Sequence, residues 1–227
     1  MAQAQAQMIE RFGRSPSYVV SCAGVAPAGS LLTSPVKMFT RAFDINAAAN
    51  VVLAQAFLPA MISNNHGHFM TVASSASYFS LPNLCAYSMS KTAALAFLES
   101  LRAELRAVYK ACRVRTSVVT PTKVRTVLAE GLNEGDDDFL MPVLEPIQVA
   151  RAMADTLNSG LSRNISLPLG SALLPYLRAL PEWYRGALRA MGNTDALVTP
   201  ESISRGQQAL RGHQSNLDHM KKLGVHS

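Results

Sequence analysis

A tyrosine and a lysine four residues apart, Tyr87 and Lys91, form the pair in this sequence best suited to proton transfer. At 3.6 residues per turn, a helix places two such side chains on one face, about 40° apart around its axis. A nearby ammonium favours the charged phenolate and lowers the pKa of a tyrosine from its usual value of about 10. The pair could therefore give a proton to a carbonyl oxygen or take one from an alcohol.

Ser74 adds a hydroxyl close to this pair in sequence, thirteen residues before Tyr87, where an apolar segment ends in two serines. A serine hydroxyl both donates and accepts hydrogen bonds, so it could hold the reacting oxygen. A tyrosine and a lysine at this spacing are also common on solvent-facing helices. The functional interpretation therefore depends on the pattern that surrounds them.

Apolar segments typical of strands and of helices alternate along the chain around these residues. The sequence predicts strands over residues 18–22, 68–73, 114–119 and 164–167 and helices over residues 2–13, 34–61, 87–109 and 147–159. The connections are long enough for crossovers, which indicates a parallel sheet covered by helices. We expect one domain over residues 1–198, with an amphipathic helical segment over 171–192 and a polar tail over 199–227.

Composition excludes several other classes of protein. The 227 residues are 48% hydrophobic, which is enough to bury one core. The net charge is +6, but the basic residues are dispersed along helical segments, so no nucleic-acid partner is expected. Three cysteines without paired or metal-ligand spacing indicate reduced thiols in a cytosolic setting and no metal site. The apolar stretch 47–61 contains two polar residues and is expected to be too short to cross a bilayer.

The order of these features resembles the short-chain dehydrogenase/reductase family. A strand runs into Ala23 and Gly24, Asn46 lies within a long helix, a strand ends at Ser74, the segment YSMSK follows, and a later strand runs into PTKVRT at residues 121–126. The resemblance covers about residues 8–195. The segments AFLPAM, HGHFMTVASS, RAELRA and LPYLRALPEWYR look most like the retinol-dehydrogenase and hydroxysteroid-dehydrogenase branch. The implied fold is α/β, a Rossmann-like doubly wound parallel sheet.

The resemblance implies catalytic roles for four residues. Tyr87 would be the general acid in carbonyl reduction or the general base in alcohol oxidation. Lys91 would lower the pKa of Tyr87 and bind the nicotinamide ribose, and Ser74 would position the substrate oxygen. Asn46 would hold a water molecule that links Lys91 to solvent.

The resemblance also implies NAD(P) as cofactor, with NADP(H) favoured, and a small lipophilic alcohol or its ketone or aldehyde as substrate. The expected cofactor-binding residues are Ala23, Gly24, Tyr87, Lys91, Pro121, Val124 and Thr126. The family further implies a homodimer, or a heterodimer with a relative, built through the two long helices. The location implied is cytoplasmic, with peripheral contact to membranes of the endoplasmic reticulum or to lipid droplets.

Two departures from the family pattern modify these expectations. Ser21 and Cys22 stand where the family has paired asparagines. The sequence also has no strand, Gly-rich turn and helix of the kind that binds a pyrophosphate. We therefore expect an N-terminally truncated sheet with about strands four to seven of the family, an exposed apolar edge and weak cofactor binding. A non-catalytic interaction protein and a cofactor-free acid/base enzyme remain as alternatives.

Overall fold

The computed structural model describes residues 2–129, 142–191, 198–200 and 203–204. The four strands are β1 (Tyr18–Ser21), β2 (Gly67–Val72), β3 (Val114–Pro121) and β4 (Asn164–Leu167). The α-helices are α1 (Ala2–Phe12), α2 (Val36–Phe43), α3 (Ala49–Ser63), α4 (Cys85–Ala107), α5 (Pro146–Ser159), α6 (Leu174–Leu177) and α7 (Glu182–Met191). The sequence has three consecutive aspartates at residues 136–138, and these and most of the predicted polar tail lie outside the described residues.

The strands form one parallel sheet in the order β1-β2-β3-β4. Phe69 of β2 is in register with Val19 of β1 and with Thr116 of β3. Each connection between neighbouring strands contains a helix, as parallel pairing requires. The predicted α/β architecture is therefore confirmed, and all four carboxyl ends of the strands lie along one edge of the sheet.

Alternating side chains of the strands build two apolar layers, one on each face of the sheet. Phe69 and Val118 pack with buried leucines of α4 and with Phe57 and Met61 of α3. Their neighbours in sequence, such as Met70, point to the opposite face and pack against α5. The helices that carry the predicted chemistry are thus fixed to one face of the sheet.

The predicted helix over residues 34–61 is continuous but contains one turn of π-helix, Asp44–Ala48, between α2 and α3. The whole run, Val36–Ser63, has 28 residues, and its most apolar window has a mean hydropathy of 1.6. By length and composition it could cross a membrane, so the expectation of a span too short to do so is wrong. The reason is that the expectation considered residues 47–61 alone, whereas α2 and the π-turn extend this stretch at its N-terminal end. Asn46 and Asn50 of this run are nevertheless buried inside the protein.

Helix α5 begins and ends at residues that its local sequence predicts. Pro146 occupies the first turn, and the Gln148 side chain accepts a hydrogen bond of 2.7 Å from the backbone N–H of Glu145. Gly160 ends the helix in the left-handed conformation, with φ of 64°. Strand β3 runs on through Pro121, because a proline at the last strand position loses no interior hydrogen bond.

One edge and one end of the molecule expose apolar side chains. Strand β1 pairs with β2 alone within the described residues, and Tyr18 and Val20 are 55% and 40% exposed. After β4 the chain forms a 3-10 turn, Leu169–Leu173, and then α6 and α7, in which Trp183 is 75% exposed. The described residues of this end therefore form three short helical pieces, and the prediction of one amphipathic segment over 171–192 stays a prediction.

Candidate active site

The predicted catalytic residues meet at the carboxyl edge of the sheet. Ser74 follows β2 after one intervening residue, and Gly24 lies three residues beyond β1. Helix α4 begins at Cys85 and brings Tyr87 and Lys91 to the same edge. In open parallel sheets this edge is where ligands bind.

Ser74, Tyr87 and Lys91 form a compact group. The Lys91 Nζ lies 6.0 Å from the centroid of the Tyr87 ring, and the side chains of Ser74 and Tyr87 lie close enough to interact. The Lys91 ammonium donates a hydrogen bond of 2.8 Å to the carbonyl oxygen of Val72, the last residue of β2. The spacing of four on a helix therefore places the two groups together as the sequence predicted.

Burial is the main cause of the pKa shifts of Tyr87 and Lys91. It raises the pKa of Tyr87 above its usual value, and the interaction with Ser74 offsets part of that rise. Burial lowers the pKa of Lys91 to about 8, against a smaller opposing effect of Cys22. The net shift of the Tyr87 pKa is therefore upward, because the cost of moving a phenolate out of water outweighs the interaction with Ser74. The expected lowering of this pKa by Lys91 stays a prediction.

Asn46 lies in the π-turn and fixes the loop after β1. The Asn46 Oδ1 accepts a hydrogen bond of 2.8 Å from the backbone N–H of Val25, and the Asn46 Nδ2 donates one of 2.8 Å to the carbonyl oxygen of Val25. The Nδ2 also donates to the hydroxyl of Ser90 at 2.8 Å, and that hydroxyl donates to the Tyr87 carbonyl oxygen. The side chain thus connects the β1 loop to the turn of α4 that carries Tyr87. Its expected role in holding a water molecule stays a prediction.

Gly24 is packed directly against this group. A Cβ atom at this position would lie 3.1 Å from Asn46 Oδ1 and 3.2 Å from Lys91 Nζ, which is tighter than ordinary contact. Ala23 and Cys22 are exposed beside it. The predicted position Gly24 therefore borders the Lys91 ammonium, and Ala23 directly precedes it in the loop.

The second predicted cofactor segment, residues 121–126, lies at the end of β3 and is only loosely connected to the group. Val124 forms a parallel bridge with Leu144, and the hydroxyl of Thr126 donates to the Val124 carbonyl oxygen at 3.3 Å. Among residues 2–129 and 142–191, no hydrogen bond joins Pro121, Val124 or Thr126 to the residues around Tyr87. The structure therefore places this segment on the same edge of the sheet as the Tyr87 group.

Sequence reasoning missed Asn50 and Ser90. Asn50 Nδ2 donates to the carbonyl oxygens of Asn46 and Ala47, at 2.9 and 3.2 Å, and its Oδ1 accepts from the hydroxyl of Thr71. The available signal was a polar residue four positions after Asn46 in an otherwise apolar helix. Ser90, directly before Lys91, gave no distinguishing signal.

Two cavities and the histidines lie away from this group. Cavities of about 460 and 180 Å³ lie at the amino ends of the strands, and both are lined by Tyr18 and His66. His68 is buried, and its Nε2 is 2.9 Å from the Ser117 hydroxyl. Within the described part of the chain, no three His, Cys, Asp or Glu side chains lie close enough to hold a metal ion.

Comparison with known proteins assigns this arrangement to a family. The family model described as short chain dehydrogenase matches residues 1–137, which include Ser74, Tyr87 and Lys91. The chain belongs to the short-chain dehydrogenase family. The resemblance found in the sequence is therefore confirmed, including its retinol- and hydroxysteroid-dehydrogenase branch.

Two curated relatives illustrate that branch. The estradiol 17-beta-dehydrogenase 11 of Pongo abelii is 37% identical over 175 residues, which are 76% of this chain and 56% of the relative. The epidermal retinol dehydrogenase 2 of Mus musculus is 35% identical over 141 residues, 62% of this chain and 45% of the relative. The chain thus spans about half the length of these relatives.

Solved structures share the fold at low sequence identity. An acetoin dehydrogenase from Salmonella typhimurium superposes with a TM-score of 0.62 at 18% identity, covering 76% of this chain and 70% of that chain. An alcohol dehydrogenase from Thermococcus sibiricus, complexed with 5-hydroxy-NADP, gives a TM-score of 0.61 at 21% identity and covers 73% and 68%. These similarities establish the Rossmann-like fold for this chain.

Proposed function

We propose that this protein is an NAD(P)-dependent oxidoreductase that interconverts a lipophilic alcohol and its ketone or aldehyde. The proposal depends on one observation: the Tyr87 phenol lies beside the Ser74 hydroxyl and the buried ammonium of Lys91. A phenol, a hydroxyl and an ammonium together can bind a carbonyl oxygen and protonate it.

The protonation states favour Tyr87 as a general acid at neutral pH. Because burial raises its pKa, the phenol keeps its proton and can donate it to a carbonyl oxygen held by Ser74. Lys91, with a pKa of about 8, is mostly charged at pH 7 and stabilises negative charge that develops on the phenolic oxygen. In the reverse direction Tyr87 must first lose its proton, so alcohol oxidation is expected to accelerate as the pH rises.

The residues around Lys91 fit a nicotinamide cofactor, which would supply the hydride. An ammonium has three N–H donors, and in the described residues Lys91 makes one hydrogen bond, to Val72, so it can also bind ribose hydroxyls. Gly24 keeps the space beside Lys91 free of a side chain. Ala23 would border the adenosine half, and Pro121, Val124 and Thr126 would meet the nicotinamide carboxamide. NADP(H) is the favoured form, since a net charge of +6 suits its additional phosphate.

The names of the relatives support the substrate class, since one acts on estradiol and another on retinol by name. Exposed apolar side chains on the long helices support assembly into a homodimer or a heterodimer with a relative. These side chains are Phe43, Val51, Val52 and Met89. A cytoplasmic protein in peripheral contact with the endoplasmic reticulum or lipid droplets would meet such substrates.

The decisive experiment measures oxidation of estradiol and retinol by the 227-residue chain with NADP or NAD, followed at 340 nm. Tyr87→Phe keeps the ring but removes the proton, so turnover should fall by at least about a hundredfold. Tyr109→Phe, in an exposed tyrosine at the end of α4, is the control and should retain turnover. Turnover that persists in Tyr87→Phe would contradict the proposed role.

Cofactor binding is tested separately by calorimetry. Since the sequence contains no Gly-rich pyrophosphate turn, we expect a dissociation constant for NADPH above about 10 µM, which corresponds to less than about 6.8 kcal/mol. A lower value would contradict weak binding. Absence of binding together with a stable dimer would favour an interaction protein, and Tyr87-dependent turnover without nicotinamide would favour a cofactor-free enzyme.

A further inference from the structure

The loop between Ser74 and Tyr87 begins and ends at two residues of the proposed site, whose side chains lie close together. At its start, Ser74 Oγ accepts from the backbone N–H of Ala76 at 3.1 Å. The Ser77 carbonyl oxygen then accepts from the hydroxyl of Thr92 on α4. The loop therefore borders the proposed site, and its first turn is attached to the same helix as Tyr87.

In the next three residues, 78–80, the backbone N–H groups of Tyr78 and Phe79 donate to the Ser75 carbonyl oxygen, and the C-terminal helices add further contacts. Arg178 Nε donates to the carbonyl oxygen of Tyr78, and Arg189 Nε donates to that of Ser80, both at 3.4 Å. The Arg189 guanidinium carbon also lies 5.1 Å from the centroid of the Phe79 ring. A guanidinium can stack on an aromatic ring and donate through Nε at the same time.

Glu182 orients Arg189 from two turns earlier in α7. Its Oε1 accepts from Arg189 Nη1 at 2.9 Å, and its other oxygen pairs with Arg185. The Arg189 side chain is 22% exposed, whereas that of Glu182 is 63% exposed. The two arginines therefore share one carboxylate, and Arg189 also contacts the loop through the Ser80 carbonyl oxygen and the Phe79 ring.

We propose that Arg189 is a positioning residue that fixes Phe79 as a wall of the substrate space and thereby sets the affinity for bulky lipophilic substrates. This inference rests on the proposed function. Phe79 is half-buried and lies in a loop that ends at both catalytic side chains. Release of Arg189 would loosen Phe79 and Ser80 while leaving Ser74, Tyr87 and Lys91 in place, so substrate binding changes and the chemical step does not.

Three variants and a matched control test this role in the full chain. In Arg189→Gln the Kd and the KM for estradiol should rise about fivefold with kcat unchanged. Arg189→Lys should behave in the same way, because an ammonium lacks the planar stacking surface and the Nε donor. Glu182→Gln, at an exposed position, should have a smaller effect in the same direction. Arg185→Gln removes one charge from the same Glu182 group and should leave the Kd within about twofold.

Hydrogen–deuterium exchange gives a measurement that needs no turnover. Amides of residues 78–80 should exchange faster in Arg189→Gln and Arg189→Lys and at the original rate in Arg185→Gln. Equal effects of Arg185→Gln, full rescue by Arg189→Lys, or unchanged exchange would overturn the inference. If the unaltered chain neither binds nor oxidises estradiol, the proposed function and the affinity effect both fail. Exchange then still decides whether Arg189 positions the loop.

Discussion

At the scale of single residues, this protein buries two groups whose charged forms are costly. Lys91 is 3% exposed and His68 is 1% exposed. Burial lowers the pKa of both, to about 8 for Lys91 and to about 4 for His68, where the Arg115 charge contributes further. Their effects on stability therefore depend on pH in different ranges.

Lys91→Met should stabilise the fold. The folded pKa of about 8 is below the usual value of 10.5, so the buried charge costs about 3 kcal/mol at pH 7, and this cost disappears between pH 8 and 10.5. Loss of the hydrogen bond to the Val72 carbonyl oxygen destabilises the fold by about 1 kcal/mol. The free energy of unfolding should therefore rise by about 2 kcal/mol at pH 7. Urea unfolding at pH 7 and 9.5 measures it, with the exposed Lys37→Met as control. A less stable Lys91→Met protein at pH 7 would refute this account.

His68→Gln should make stability less sensitive to acid. The folded pKa of about 4 is below the usual value of 6.5, so the unfolded state binds the proton first and stability falls as the pH drops from 6.5 to 4. Between pH 7 and 4.5 the unaltered protein should lose about 2.5 kcal/mol more than His68→Gln. Urea unfolding at both pH values gives the comparison, and the exposed His66→Gln should resemble the unaltered protein. Equal losses in all three would rule out His68 as the cause.

At the scale of elements, the π-turn Asp44–Ala48 brings Asn46 to the loop after β1. Single π-turns within α-helices cost backbone hydrogen bonds and often occur at functional sites. Here the Asn50 amide donates to two of the carbonyl oxygens in the turn. The turn is thus supported by a side chain from the next helix, α3.

Asn50→Leu should therefore impair both the fold and the site. It leaves the carbonyl oxygen of Asn46 and the hydroxyl of Thr71 without their partner, which costs about 2–3 kcal/mol of unfolding free energy. Displacement of Asn46 should lower kcat by about tenfold or more. Gln55→Leu, in an exposed residue of the same helix, is the control for stability and kcat. If Asn50→Leu has the same kcat as the Gln55→Leu control, the π-turn does not contribute to catalysis.

At the scale of the whole molecule, β1 is an edge strand within the described residues and presents Tyr18 and Val20 to solvent. Exposed edges with apolar side chains favour association between chains. The exposed side chains of the long helices offer a second surface for association. The two surfaces can be distinguished by substitution.

Val20→Lys should reduce association through the sheet edge with little effect on folding, because Val20 is 40% exposed and its substitution opens no cavity. Light scattering after size exclusion, over a range of protein concentrations, measures the oligomeric state. Val51→Lys on α3 tests the helical surface in the same assay. If Val20→Lys associates as strongly as the unaltered chain while Val51→Lys is monomeric, the helices and not the sheet edge form the interface.

The sequence by itself determined the alternation of strands and helices, the parallel sheet and the family. The periodicity of apolar residues identifies strands and helices from short stretches of sequence. The spacing of Ser74, Tyr87 and Lys91 along the chain is enough to show the resemblance to the family. Only the tertiary structure decided the π-turn, the contacts of Asn46 and Asn50, the direction of the Tyr87 pKa and the contact of Arg189 with residues 78–80. These depend on desolvation and on hydrogen bonds between residues up to 109 positions apart, which no local pattern records.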